Sequence, residues 1–216
     1  MNSDDASGKF ERQKEMIRLR RNRIFQAARQ AVDESGLNGL QMRDVARRCG
    51  YTQGALYAYY KNKEAMLEEL SEDYLKKLAH SIKSVKISKE LPEQEISVKV
   101  MAWLGFFIKE AHAFDVICGG QSRLSPSSYK KLRVSWSSCQ DTLMKMGVSK
   151  VKAEAEIKAL CTYALGLLLM INQDSNKEST LNLKGYVDQL VLRIQPDLFE
   201  SLDSKKDTLA QEDLFA

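Results

Sequence analysis

The sequence predicts an all-α fold, and three observations lead to it. Apolar residues recur at helical spacing in almost every segment, no alternating run with turn chemistry marks a strand or hairpin, and glycines and prolines sit where helices end or begin. The chain has 216 residues, 44% of them hydrophobic, which is enough for one large domain or two small ones.

The first helix is read from Ile24, Ala28, Ala31 and Val32, which fall at i, i+4, i+7 and i+8 and end near Gly36, a residue suited to a left-handed cap. Met42, Val45, Ala46 and Cys49 give a second, short helix closed by Gly50. Thr52 is a good N-cap for a third, in which Leu56 and Tyr60 share one face. Asn62 caps a fourth, with the stripe Leu67, Leu70, Tyr74, Leu78 and Ile82. Pro92 opens a fifth, with Ile96, Val100, Trp103, Leu104, Phe107, Ile108 and Ala111 as its apolar face. Pro126 opens a single long helix carrying Tyr129, Leu132, Trp136, Cys139, Leu143 and Met146. Residues 153–171 start with one stripe and become apolar nearly all round, and residues 181–194 form the last helix.

Two short helices joined by a glycine turn and braced by a longer one make a helix-turn-helix. In that arrangement the third helix enters the major groove, so its outward residues must be small or able to hydrogen-bond. Gln53, Gly54 and Ala55 meet that demand. Tyr57 and Tyr59 are placed outward, their hydroxyls within reach of phosphate, while Tyr60 packs inward. The alternative is a structural helical hairpin with its tyrosines at a protein interface. Charge agrees with the first reading: residues 1–63 hold 13 Lys/Arg against 7 Asp/Glu, whereas residues 64–216 hold 20 against 22.

Residues 20–70, "RRNRIFQAARQAVDESGLNGLQMRDVARRCGYTQGALYAYYKNKEAMLEEL", resemble the DNA-binding domain of the TetR family of bacterial transcriptional regulators. The resemblance is carried by "RIFQAARQAV", Gly36, Arg43-Asp44-Val45-Ala46, Gly50, Gly54 with Leu56 and Tyr57, and Lys63-Glu64 with Leu67. Departures are Gln41 for a Ser/Thr cap, Ala55 for a hydroxyl residue, Tyr59 for histidine and Tyr60 for phenylalanine. Ala55 leaves Gln53 as the base reader on this helix. The resemblance implies a DNA-binding surface of Gln41, Arg43, Thr52, Gln53, Gly54, Ala55, Tyr57, Tyr59 and Lys63, helped by a basic arm with Arg18, Arg20, Arg21 and Arg23.

The domain expectation is a flexible arm at 1–15, a helix-turn-helix DNA-binding domain at 16–66, a larger helical ligand-binding and dimerisation domain at 67–196, and a weakly ordered tail at 197–216. By resemblance, Trp103, Phe106, Phe107, Phe114, Trp136 and Cys139 line a pocket for an apolar or aromatic inducer, with plain core packing as the alternative. Leu160, Ala164, Leu168, Tyr186, Leu190 and Val191 form the homodimer interface, with a monomer core as the alternative. The implied function is a homodimeric, ligand-released repressor on palindromic operator DNA. The alternatives are an activator or ligand-independent regulator, or a helical small-molecule-binding protein without an operator.

No enzyme, cofactor or metal site is expected. His80 and His112 form no triad or ligand set, no Gly-rich phosphate loop occurs, and the four cysteines have no C-x-x-C spacing. The longest apolar stretch, "YALGLLLMI" at 163–171, is far short of the ~20 residues a membrane span needs. The polar opening "MNSDDASGKF" has no apolar stretch of the signal-peptide kind, so the expected location is the cytoplasm.

Overall fold

A computed structural model describes residues 3–85, 92–118, 126–173 and 183–194. Among these residues every regular element is helical. In chain order they are α1 (Ser3–Gly39), α2 (Met42–Cys49), α3 (Gln53–Tyr57), α4 (Lys63–Lys83), α5 (Pro92–Lys109), α6 (Ala113–Cys118), α7 (Pro126–Val134), α8 (Ser137–Lys145), α9 (Lys150–Gln173) and α10 (Leu183–Ile194). No helix among them is long and apolar enough to cross a membrane.

The chain forms two compact units. One takes residues up to Lys77 together with Lys109–Lys131, the other Leu78–Ile108 with residues from Leu132 onward. This differs from a boundary at residue 66, because polar ties hold the start of α4 to α1. Arg29 bonds Asp73 at 2.8 Å, Arg21 bonds Glu69 at 2.6 Å, and Tyr74 donates to Asp33 at 3.2 Å. The lead-in to α6 joins the same unit through Arg29 and Glu110 at 3.2 Å. Helix α6 itself packs on α1 and buries Ala113, Val116 and Ile117, a set that helical periodicity alone does not single out.

Within the first unit α1 starts at Ser3, where the sequence suggested a flexible arm, and its helical backbone breaks at Ser35 and Gly36. Gly36 has φ 61°, and a Cβ there would come within 3.3 Å of the His112 ring, so both backbone and space call for glycine. The core of this unit is Ile24, Ala28, Ala31, Val32, Leu40, Val45, Leu56, Met66 and Leu70. Met66 is fully buried while the predicted Leu67 is only half-buried.

In the second unit α5 buries Ile96, Val100, Trp103, Leu104 and Phe107, but Ile108 is 48% exposed and Ala111 lies exposed in the turn before α6. The single helix expected after Pro126 is two. Ser135 interrupts it, donating its hydroxyl to Leu132 O and accepting the Trp103 indole N–H at 3.1 Å, so α7 stops at Val134 and α8 restarts at Ser137. Helix α9 is two-faced. Ala153, Ile157, Leu160, Cys161, Ala164 and Leu168 are buried within the unit, whereas Tyr163, Leu169 and Met170 are exposed. Helix α10 packs on α9 with Val187 and Val191 buried. The expected tail at 197–216 lies outside the described residues.

The same unit buries a charge. Lys99 is 6% exposed and donates to Glu95, to Ser138 O at 3.0 Å and to Thr142 Oγ1 at 3.0 Å. Burial pushes the Glu95 carboxyl up, but the hydrogen bonds from Lys99 and Thr142 outweigh it and leave it below the usual carboxylate range. A carboxyl lowered on folding contributes stability above its unfolded value and loses it as pH falls through the folded one. Glu95→Gln is therefore expected to destabilise the protein at neutral pH by on the order of 3 kcal/mol, because Lys99 stays buried without its counter-charge. Acid unfolding followed by circular dichroism should lose this component in the variant while the wild type retains it.

Candidate nucleic-acid interface

Helix α3 has only five residues, so its placement depends on what surrounds it. Gly50 closes α2 at φ 74°, ψ 29°, a left-handed conformation natural to glycine, and its N–H and that of Tyr51 bond back to the last carbonyls of α2. Thr52 then caps α3, its hydroxyl accepting the Ala55 N–H at 3.2 Å. Leu56 is fully buried, so Gln53, Gly54 and Ala55 are turned to solvent and Tyr57 is 46% exposed. Nothing lies within 4 Å of a Cβ built on Gly54, so the front of α3 is open. Asn62 caps α4 through the Ala65 N–H at 2.9 Å.

Beside α3 lies a concavity of about 510 Å³ lined by Gln41, Met42, Arg43, Asp44, Gln53, Tyr57 and Lys63. Five residues singled out in the sequence therefore meet around one depression. Gln53 Nε2 donates to the Tyr57 hydroxyl at 3.4 Å, and Lys63 Nζ reaches the Leu37 carbonyl at 3.5 Å. Gln41 makes no capping bond to α2 and donates instead to Asn38 O at 3.3 Å. Asp44, absent from the expected set, adds a carboxylate to the rim, and Arg47 pairs with it at 3.1 Å.

Tyr59 does not stand on α3. The helix ends at Tyr57, and Tyr59 sits half-buried in the following turn, its N–H bonded to Leu56 O at 2.9 Å. Three positions after a buried residue, it is only about 60° from Leu56 on a helical wheel, which agrees with its partial burial. Tyr60 is 2% exposed, as expected of a core residue, with Arg21 stacked 5.1 Å from its ring centre. Its hydroxyl has no hydrogen-bond partner of good geometry, and burial, with the Glu69 carboxylate beside it, pushes the phenol well up. Of the basic arm, Arg21 and Arg18 pair within the chain, Arg21 with Glu69 and Arg18 with Glu15 at 2.7 Å. Neither Arg20 nor Arg23 makes an ion pair among the described residues.

Residues 24–70 match the model of the family described as bacterial regulatory proteins, tetR family. Over this segment the chain is similar to the tetR family. The tetracycline repressor protein class A from transposon 1721 of Escherichia coli is 40% identical over 60 residues. That match spans 28% of this chain and 28% of the relative, so the chain covers well under a third of the tetracycline repressor's length. Two solved structures share the fold more broadly. A transcriptional regulator from Rhodococcus sp. Rha1 has a TM-score of 0.63 at 21% identity, covering 82% of this chain and 96% of its own. A TetR from Acinetobacter baumannii AYE, crystallised in complex with minocycline, has a TM-score of 0.58 at 18% identity, covering 80% and 94%. The all-α architecture with an N-terminal helix-turn-helix is thus common to this chain and its structural neighbours.

The other expected site residues fall as follows. Trp103, Phe106, Phe107, Trp136 and Cys139 all lie in the second unit and are buried. Trp103 stands 4.6 Å from Phe107 and 5.3 Å from Trp136, and Phe106 stands 5.2 Å from Phe107. Phe114 belongs to the first unit, on α6. All four cysteines are free and buried. Burial pushes the Cys118 and Cys161 thiols up to about 11 and Cys139 to about 12, so they stay protonated at neutral pH. Of the dimer set, Leu160, Ala164, Leu168 and Val191 face the unit's own core and cannot also face a partner; Tyr186 is 56% exposed, and the Leu190 side chain lies outside the described residues.

Because one cap and one leucine hold α3, Thr52→Ala is expected to cost about 1 kcal/mol of stability. Urea unfolding should show the loss, and Thr52→Ser should restore most of it.

Proposed function

We propose that this protein is a homodimeric transcriptional repressor that binds a palindromic operator and is released by a small apolar or aromatic inducer. The observation that carries the reading is the exposed front of α3, Gln53-Gly54-Ala55, standing beside a rim that holds Arg43, Tyr57 and Lys63, inside the segment matched to the tetR family. Gln53 suits adenine, whose N6 and N7 it can bond in pairs, and Arg43, Tyr57 and Lys63 suit phosphate. Arg43→Ala or Lys63→Ala would then lessen the salt dependence of binding.

For dimerisation, the outer face of α9 replaces the residues taken from the sequence. Tyr163, Gly166 and Met170 follow one another at helical spacing and are exposed, and Gly166 leaves room for close approach of a partner helix. Exposed Tyr186 on α10 extends the surface. Paired copies would set two α3 helices ~34–36 Å apart, one turn of DNA. The aromatic cluster of Trp103, Phe107 and Trp136 suits an apolar or aromatic inducer, and the Acinetobacter neighbour's complex with minocycline supports a small-molecule ligand in this class of fold. By linkage, operator and inducer would weaken each other's binding by the same factor.

Selection of bound duplexes from random DNA tests the reading directly. Gln53→Ala should cost ~1–3 kcal/mol at one operator position and relax the preference there, whereas Tyr57→Phe should weaken all sequences about equally. Failure to enrich any palindrome, or a base preference that changes with Tyr57→Phe and not with Gln53→Ala, would contradict it.

The two faces of α9 give a second test. Tyr163→Glu or Met170→Glu should leave helicity intact and produce monomers with poor operator affinity by sedimentation and binding titration. Leu168→Glu should instead unfold the second unit, because it places a carboxylate in the core.

A further inference from the structure

Helix α1 continues N-terminal to the matched domain as far as Ser3, and four of its basic residues share one side. At about 100° per residue, Lys9, Arg12, Arg20 and Arg23 fall within an arc of roughly 80°. Glu11 and Glu15 lie roughly 140° and 100° from the middle of that arc. None of the four basic residues makes an ion pair among the described residues, and all are exposed. The basic arc also has a direction. Its last member, Arg23, brings its guanidinium within 3.9 Å of where a Cβ on Gly50 would stand, at the turn that leads into α3. Arg18, Arg21, Asn22 and Phe25, on the other side of α1, line a cleft with α4. The basic arc therefore rises from the side of the helix-turn-helix that carries α3.

We propose that this face of the α1 extension binds phosphates of duplex DNA flanking the half-site read by α3, so that each subunit covers more DNA than its helix-turn-helix does. The proposal rests on the operator-binding reading above. From Lys9 to Arg23 the helix runs roughly 21 Å, the length of about six base pairs. Double-stranded DNA is the occupant rather than a lipid surface. A membrane helix needs a wide apolar face opposite its charges, and here only Phe10 and Ile17 continue the line of Ile24, while Met16 stands among the arginines.

The test compares the full-length chain with K9Q/R12Q/R20Q, in which glutamine keeps helix propensity and removes charge. The probes are the selected palindrome trimmed to its core and the same duplex lengthened by about ten base pairs at each end, long enough to pass the reach of the helix. Wild type should bind the longer duplex about ten-fold more tightly at near-physiological salt, while the variant should bind both alike. The variant's slope of log affinity against log salt on the long duplex should fall by about 0.9 for each phosphate it no longer neutralises. K9R/R12K/R20K should behave as wild type, which separates charge from folding, and circular dichroism should find helicity unchanged in both. Equal length dependence in wild type and K9Q/R12Q/R20Q overturns the proposal. So does wild-type binding to phosphatidylserine vesicles that this variant loses without change in DNA length dependence, an outcome that would assign the face to membrane. If no duplex is enriched at all, the operator-binding reading fails first and this proposal falls with it.

Discussion

The burial of Leu56 is the contact on which the candidate interface depends. A five-residue helix does not persist alone in water, since nucleation consumes most of what so few hydrogen bonds return. Fully burying a leucine contributes about 1.5–3 kcal/mol and a threonine cap about 1 kcal/mol more. Those two terms, with the left-handed turn at Gly50, fix α3 at a single rotation about its axis. Turning Leu56 inward is what turns Gln53, Gly54 and Ala55 outward. What α3 presents on one face is thus set by packing on the other.

Around that contact, the first unit is held by a cation rather than by apolar packing alone. Arg29, 18% exposed at its side chain, meets Asp73 on α4, Glu110 ahead of α6 and Asp33 on its own helix, and stacks on Tyr74. A partly buried guanidinium with several carboxylates satisfies its fixed set of donors and tolerates little movement of any partner. This is why residues 109–131, remote in sequence, belong to the same compact body as the helix-turn-helix. A displacement of the segment before α6 would be felt at α1 through this one side chain.

The second unit solves a different problem, that of a helix apolar on nearly all sides. Its inner stripe, Ala153 to Leu168, is satisfied within the chain, with α8 and α10 packed against α9. Tyr163 and Met170 are left uncovered. Lys99 adds a buried charge whose hydrogen bonds tie α5 to α8. Such a network favours one register of the two helices over its neighbours, since sliding would strand the ammonium.

The sequence by itself determined the helical class, the caps at Thr52 and Asn62, the left-handed glycines 36 and 50, and the residues that gather around α3, because each is a local matter of backbone conformation or helical spacing. Spacing also told Tyr60 from Tyr57. What periodicity could not supply was which of two apolar faces of α9 turns inward, since both satisfy the same pattern and only the neighbouring helices choose between them. Nor could it reveal the break at Ser135, where the deciding bond comes from Trp103 more than thirty positions away, or the pairing of Arg18 and Arg21, which takes them out of the basic surface. Those outcomes depend on partners distant in sequence or on side-chain geometry, so the tertiary structure alone decided them.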